Sequence, residues 1–227
     1  MSEPYIVIAA YNEEKNIGNV IENLKSEGYS KIIVVDDGSS DNTYSIAKSQ
    51  NIFVLRHIIN RGQGAALQTG MTYALKHGAE YIVHFDADGQ HDAKEIKEIL
   101  LPLQLKRAQV ALGSRFLKKQ KIPLKRKILL KGGIIAVWVL NGIKLSDTHN
   151  GFRAFTKEAA KKISITSDKM EHASEILEKI KKHKISYEEV PVTIKYTEET
   201  LKNGRKGQGH FDSVKILLKM ILKKVGV

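Results

Sequence analysis

The chain contains no cysteine. Disulfides and thiolate metal sites are therefore excluded, and any metal must be held by oxygen or imidazole. Such a composition fits a reducing cytoplasm. The eight histidines contain no H-E-x-x-H run and no spacing that converges on a zinc site. No apolar run reaches the roughly 20 residues needed to cross a bilayer. The early "YIVIAA" is too short for a signal core, so the chain reads as soluble or peripheral to a membrane. Internal repeats and low-complexity linkers are also missing. Between Ile99 and Ser146 there is no acidic residue at all.

What is present is strongly basic. The formal net charge is +12, and the acid-free stretch carries Arg107, Arg115, Lys118, Lys119, Arg126 and Lys131 among other cations. Asymmetry of this kind points to an anionic partner: nucleic acid, acidic lipid head groups or a phosphorylated substrate. A solvated lysine-rich surface is the plainer alternative. At 227 residues the chain is long enough for one sizeable core.

The first half alternates short apolar strands with helical periods. Strands are predicted at Tyr5–Ala10, Lys31–Val35, Phe53–Arg56, Tyr81–Phe85 and Val110–Gly113, with helices at Asn16–Glu27, Asp41–Ser49, Ala65–His77 and Asp92–Leu105. Asp41 and Asp92 are plausible N-caps, the latter followed three residues on by Glu95. This alternation predicts an α/β fold with a mostly parallel sheet covered by helices, whose ligands gather at the carboxyl ends of the strands. The runs "AAYNEE", "DDGSSDNT", "DADGQH" and "GSRF" all begin at or just beyond a predicted strand end. In the second half, Leu124–Leu140 reads as an apolar helix, either core or interfacial, with Trp138 inside it. Short helices follow at Thr156–Ile163 and Glu171–Lys182, then two strand pieces flanking Pro191. A basic amphipathic helix, Phe211–Val227, either lies on an anionic membrane or caps a core.

The acidic run is the sharpest chemical signal. Asp86 and Asp88, with Gln90 beside them, place hard oxygen ligands at a strand end, a set that suits Mg²⁺ or Mn²⁺. A lone D-x-D is also a common surface loop, so position and company carry the inference. The turn after Asp36 and Asp37 could hydrogen-bond a ribose or base, or be no more than a capped turn. "NRGQGAALQTG" offers a small-residue entry to a helix whose N-terminus favours phosphate, without the Walker lysine. Arg115 is a candidate partner for a diphosphate. His91 either touches substrate or is structural, and His172 reads as packing.

Taken in order, these runs resemble the family 2 glycosyltransferases, and within them the dolichyl- or polyprenyl-phosphate sugar transferases. Later runs, "DTHNGFRAF", "EVPVTIKYTEE" and "GRKGQG", extend the likeness to about Leu222. The resemblance implies a GT-A fold and an inverting, metal-dependent transfer from a nucleotide-diphosphate sugar. It implies one glycosyltransferase domain over 1–209, with a nucleotide-sugar and metal half at 1–115 and an acceptor half at 116–209, followed by the helix at 210–227. Ala9, Tyr11, Glu13, Asp37, Gly64 and Ala87 are then expected around the donor. Asp86, Asp88 and Gln90 are expected around the metal and diphosphate. Arg115, Lys195, Arg205 and Lys206 are expected at the phosphates, and Asp147 and Glu175 on the acceptor side. Asp147, Arg115 and Glu175 are thus the catalytic candidates. Departures from the family pattern are Ala9 in place of proline, "MEHAS" before Glu175, and Gly209 where serine is common.

A phosphate-monoester acceptor is largely dianionic near neutral pH and needs little general-base help, whereas a hydroxyl acceptor would need Asp147 or Glu175 as base. The basic stretch favours polyprenyl phosphate at the cytoplasmic membrane face. A glycan or other soluble acceptor and a silent nucleotide-sugar sensor are the alternatives. Nucleic acid is not expected as a partner, since the acidic pair would repel a phosphate backbone.

Overall fold

The structure, a computed structural model, describes residues 2–118, 143–148 and 150–195. The expected helix at Leu124–Leu140, the loop carrying Arg205 and Lys206, and the amphipathic helix from Phe211 lie outside those residues.

Runs such as "YIVIAA" and "IIVVD" are almost wholly buried, which is what a parallel strand covered on both faces requires. They form β1 (Tyr5–Ala10) and β2 (Ile32–Asp36), joined by β3 (Phe53–Arg56), β4 (Tyr81–Asp86), β5 (Val110–Ser114), β6 (Arg153–Thr156) and β7 (Tyr187–Pro191). The sheet order is β3-β2-β1-β4-β6-β5-β7. Only β6 runs antiparallel to its neighbours β4 and β5. The helices are α1 (Ile17–Ser26), α2 (Thr43–Ser49), α3 (Gln63–Lys76), α4 (Ile96–Gln104), α5 (Lys157–Lys162) and α6 (His172–Lys182).

Side chains alternate between two cores. Val7, Ile33 and Val35 pack with α3, α5 and α6 on one face, while Ile6, Ile8, Ile32 and Val34 pack with α1, α2 and α4 on the other. The strand order reverses between β1 and β4, where Ala9 is registered against Asp86. An open crevice at the carboxyl ends of the strands is the usual ligand site of such sheets. The fold therefore delivers the acidic run to the switch point.

One strand joins those expected, and two local expectations need correction. The run "RAFT" is strand β6, inserted between β4 and β5, with Arg153 opposite both His84 and Leu112. The two pieces around Pro191 are one edge strand that ends on the proline, a position that needs no ladder N–H. Asp92 caps a 3₁₀ turn (Ala93–Glu95) ahead of α4 by accepting from the Lys94 amide, but Glu95 does not return to complete a capping box. Asp41 also acts at a helix start, accepting from the Thr43 amide and hydroxyl while Asn42 holds the cap position.

Candidate active site

The first two motifs form one surface. Asn12, held at a φ of 55°, donates its amide to Ser39 Oγ and accepts from the Ser40 amide. The Glu13 amide donates to Thr43 Oγ1 at 2.7 Å. Glu14 donates to Asp41 and accepts from the Asn42 amide. These bonds fix the loops after β1 and β2 side by side, with Tyr11 exposed above them.

Asp36 and Asp37 point to opposite sides of the sheet end. Asp36 is fully buried, and Arg56 Nε lies 3.0 Å from its Oδ2, so the pairing is by charge and without an aligned hydrogen bond. Asp37 gathers the loop after β3: it accepts from the Arg61 amide at 3.0 Å, the Gly62 amide at 2.6 Å and His57 Nδ1 at 2.7 Å. His57 Nε2 in turn meets Thr69 Oγ1 at 3.0 Å. Gly62 has a φ of 117°, and a Cβ there would lie 2.5 Å from the Asp168 carbonyl. That backbone state is essentially restricted to glycine.

The acidic pair has two distinct environments. Asp86 closes β4, accepts from His91 Nε2 at 2.8 Å and has Gln63 Nε2 at 3.4 Å. Burial alone would raise its pKa, but His91 and the more distant His172 and Arg153 hold it below the ordinary carboxylate value. Asp88 accepts only the Gln90 amide among the described residues, at 3.0 Å. Burial, followed by repulsion from Asp86, pushes its pKa up to about 6. Two acids so arranged leave excess negative charge that a cation would relieve. Asp86 and Asp88 therefore fit a Mg²⁺ or Mn²⁺ that takes its remaining ligands from waters and substrate phosphate, the usual habit of these ions. Among the described residues no third carboxylate or histidine completes an all-protein cage. Opposite them Gly151 is required, since a Cβ there would lie 2.5 Å from Asp86 Oδ1.

Arg115 and Asp147 are brought together and buried. Asp147 Oδ2 accepts from Arg115 Nε at 2.6 Å and from its amide at 3.1 Å. Glu189 of β7 anchors the stretch by accepting from the Ser146 amide and hydroxyl and from the Asp147 amide. Behind both acids lies buried Arg153, whose Nε donates to the Asn150 carbonyl. Burial lowers its pKa to about 10, against the pull of Asp86 and Asp147, so it remains a cation. Burial also brings His84 down to about 3 and His172 to about 4, so both imidazoles are neutral.

Comparison with known proteins decides the family. Residues 5–164 match the profile described as glycosyl transferase family 2. The chain belongs to that family. A UDP-N-acetylglucosamine–dolichyl-phosphate N-acetylglucosaminyltransferase of Methanococcus voltae is 34% identical over 98% of this chain and 96% of its own. A polyprenol monophosphomannose synthase of Mycolicibacterium smegmatis is 28% identical over 71% of this chain and 64% of its own. The fold matches glucosyl-3-phosphoglycerate synthase from Mycobacterium tuberculosis, solved with Mn²⁺, UDP and phosphoglyceric acid. The TM-score is 0.71 at 15% identity, covering 99% of this chain and 79% of that one. The likeness to the dolichyl- and polyprenyl-phosphate sugar transferases and the GT-A architecture are both borne out.

Within this glycosyltransferase, Ala9, Tyr11, Glu13, Asp37, Asp86, Ala87, Asp88 and Gln90 converge at the carboxyl ends of β1, β2 and β4. Arg115 and Asp147 follow at the end of β5. Lys195 joins them through its amide, which donates to the Gln90 carbonyl at 2.9 Å, and its Nζ lies 3.2 Å from Asp92. Two expected site residues have structural roles. Gly64 is buried beneath the Ser167 carbonyl and the His172 Cβ, so packing accounts for its missing side chain. Glu175 accepts from the Thr166 amide and hydroxyl, the Ser167 amide and Lys179 Nζ. Burial would raise its pKa, but these donors outweigh it and hold the value at about 2. Glu175 is thus a clasp for the 166–168 loop and a poor base. Gln63 and His91 are contacts of Asp86 that sequence spacing leaves undecided; His91, five residues after Asp86, carried the only signal.

Proposed function

We propose that this glycosyltransferase moves a sugar from a nucleotide-diphosphate sugar to the phosphate of a polyprenyl or dolichyl carrier, with inversion at the anomeric carbon and dependence on a divalent metal. The observation that carries the donor half is the Asp86–Asp88 pair at the switch point, where burial, and then repulsion from Asp86, lifts Asp88 to about 6. The relatives acting on dolichyl and polyprenyl phosphates support the acceptor half.

In this reading Tyr11, Glu13 and Asp37 border the nucleoside, and Asp86, Asp88 and Gln90 face the diphosphate. A Mg²⁺ or Mn²⁺ held there would offset the charge that the nucleoside diphosphate gains on departure. Arg115 is held by Asp147 in one orientation, and a fixed guanidinium loses little freedom on meeting a phosphate. Lys195 adds a second cation, and Arg205 and Lys206 are proposed to add more. The acceptor phosphate carries its own nucleophilic oxygen, charged near neutral pH because its second pKa is about 6. No protein base is needed, in keeping with Glu175 being committed to its loop. The protein's part is to orient two anions against each other and to stabilise the developing charge. Peripheral attachment to the cytoplasmic membrane face belongs to the same proposal; among the described residues no helix is long and apolar enough to cross a membrane.

The test is transfer of labelled sugar from a panel of UDP- and GDP-sugars into organic-extractable polyprenyl phosphate, with Mn²⁺, with Mg²⁺ and with EDTA. Label should enter the lipid only with metal. Metal-dependent hydrolysis of a nucleotide sugar without lipid labelling would retain the donor and reject the acceptor.

A further inference from the structure

One buried carboxylate near the site has no part in that scheme. Glu95 directly follows the acidic loop, and its position three residues after Asp92 looks like half of a capping box. Its side chain instead crosses to the segment after β7. Oε2 accepts from the Thr193 amide at 2.8 Å, and Oε1 accepts from Thr193 Oγ1 at 2.7 Å and from Lys118 Nζ at 2.6 Å. Two residues further on, the Lys195 amide donates to the Gln90 carbonyl, and Val192 on the near side donates to the Ser114 carbonyl. Residues 192–195 are therefore tied to the end of β5, to the acidic loop and to Glu95.

We propose that Glu95 is a positioning residue that straps the segment 192–195 onto the acidic loop and so sets Lys195 against the donor's diphosphate. The inference rests on the donor reading above. The strap's other charged contact, Lys195 with Asp92, is largely exposed and so contributes little on its own. Glu95 is buried, with three donors on two oxygens, and such charge-assisted bonds to a buried acceptor are the strong ones. Lys118 lies just beyond Arg115, so the same carboxylate also fixes the exit of the Arg115 segment. A group in this position should govern how the site grips the distal phosphate and leave the nucleoside end alone.

The test compares wild type, Glu95→Gln and Thr193→Val, each as the full chain. Calorimetry with Mn²⁺ would measure affinity for UDP, GDP, UMP and GMP, and hydrogen exchange would follow the 192–195 amides. Gln at 95 keeps one acceptor oxygen and loses the Lys118 charge pair; Val at 193 removes one bond at nearly constant volume, so it guards against a folding defect. The expected result is a roughly tenfold weaker nucleoside diphosphate in Glu95→Gln and roughly threefold in Thr193→Val. Monophosphate affinity should hold within twofold, and exchange should quicken at 192–195. Unchanged diphosphate affinity in both variants overturns the strap. So does an equal loss for mono- and diphosphates with faster exchange throughout, which would mark a general packing role. If wild type binds none of the four nucleotides, the donor reading fails first and takes the strap with it.

Discussion

Replacing Asp88 by Asn should make the metal-free protein more stable while removing the metal-dependent transfer proposed above. Asp88 has a pKa near 3.8 when unfolded and about 6 in the fold, because burial and the Asp86 charge both oppose its ionisation. A raised carboxylate pKa means that the folded state binds the proton more tightly, so above pH 6 folding carries a penalty that lessens as pH falls. At 1.36 kcal/mol per unit the full shift corresponds to about 3 kcal/mol, and partial exposure of the side chain brings the expected range to about 1–3 kcal/mol. For a chain of this size that is about 2–12 °C in Tm. Asn keeps an acceptor oxygen for the Gln90 amide and removes the charge. The assay is calorimetric unfolding in EDTA from pH 4 to 8. Asp88→Asn should exceed wild type by the full margin at pH 8, by about half of it at pH 5 and by about a fifth of it at pH 4. Added Mn²⁺ should raise wild type and leave the variant where it was, since an ion that binds only the folded state stabilises it. A variant less stable than wild type at pH 8 in EDTA, or one that still transfers sugar with metal, would refute the electrostatic reading of the pair.

Other positions give separable outcomes. Gly151→Ala drives a methyl against Asp86 Oδ1, so Mn²⁺ affinity should fall at least tenfold by calorimetry with only a small change in Tm; an unchanged affinity counts against Asp86 as a ligand. Asp147→Ala removes a buried carboxylate partner of the Arg115 guanidinium and should destabilise by about 3–5 kcal/mol in urea unfolding. A loss below about 1 kcal/mol would mean that solvent reaches Arg115. Arg61→Ala breaks an exposed pair with Asp168 and should shift stability by less than about 1 kcal/mol.

The first half of the fold is legible because its strands are continuous apolar runs bounded by turn residues, and every strand end there lies within one residue of expectation, while the starts of α2, α3 and α4 differ by two residues or more. β6 was not legible. It places an arginine in the middle of a buried sheet, against the hydrophobic pattern that marks strands, and Arg153 is tolerated only because Asp86, Asp147 and the Asn150 carbonyl surround it. Those partners come from β4, from the stretch before β6 and from the turn between, and no local window contains them all. In the site, the motifs at strand ends were legible as a group, since a parallel sheet brings its carboxyl ends to one side whatever the chain does between. Gly64 is ambiguous for the opposite reason: a small residue at a helix start signals close approach equally well for a phosphate and for a backbone carbonyl, and the structure shows that of Ser167.

Glu175 shows how partners, and not residue type, separate a base from a buttress. Its match to an acceptor-side run of the family makes it read as catalytic, yet among the described residues all the donors it meets belong to the 166–167 loop or to Lys179. That loop covers Gly64 and caps the Ala65 amide through the Asp168 carbonyl, so the clasp supports α3 from behind. With a folded pKa near 2 and an ordinary unfolded value, its contribution to stability is complete above about pH 4.5 and is lost as the pH falls toward 2. Glu175→Gln should therefore lower Tm at pH 7, lose that difference near pH 2 to 3, and leave the pH profile of kcat for lipid glycosylation where it was. A base would behave otherwise: its loss would flatten the acid limb of kcat and reduce turnover by 10²-fold or more. If the rate profile moves and the Tm does not, the clasp is wrong and Glu175 returns to the acceptor.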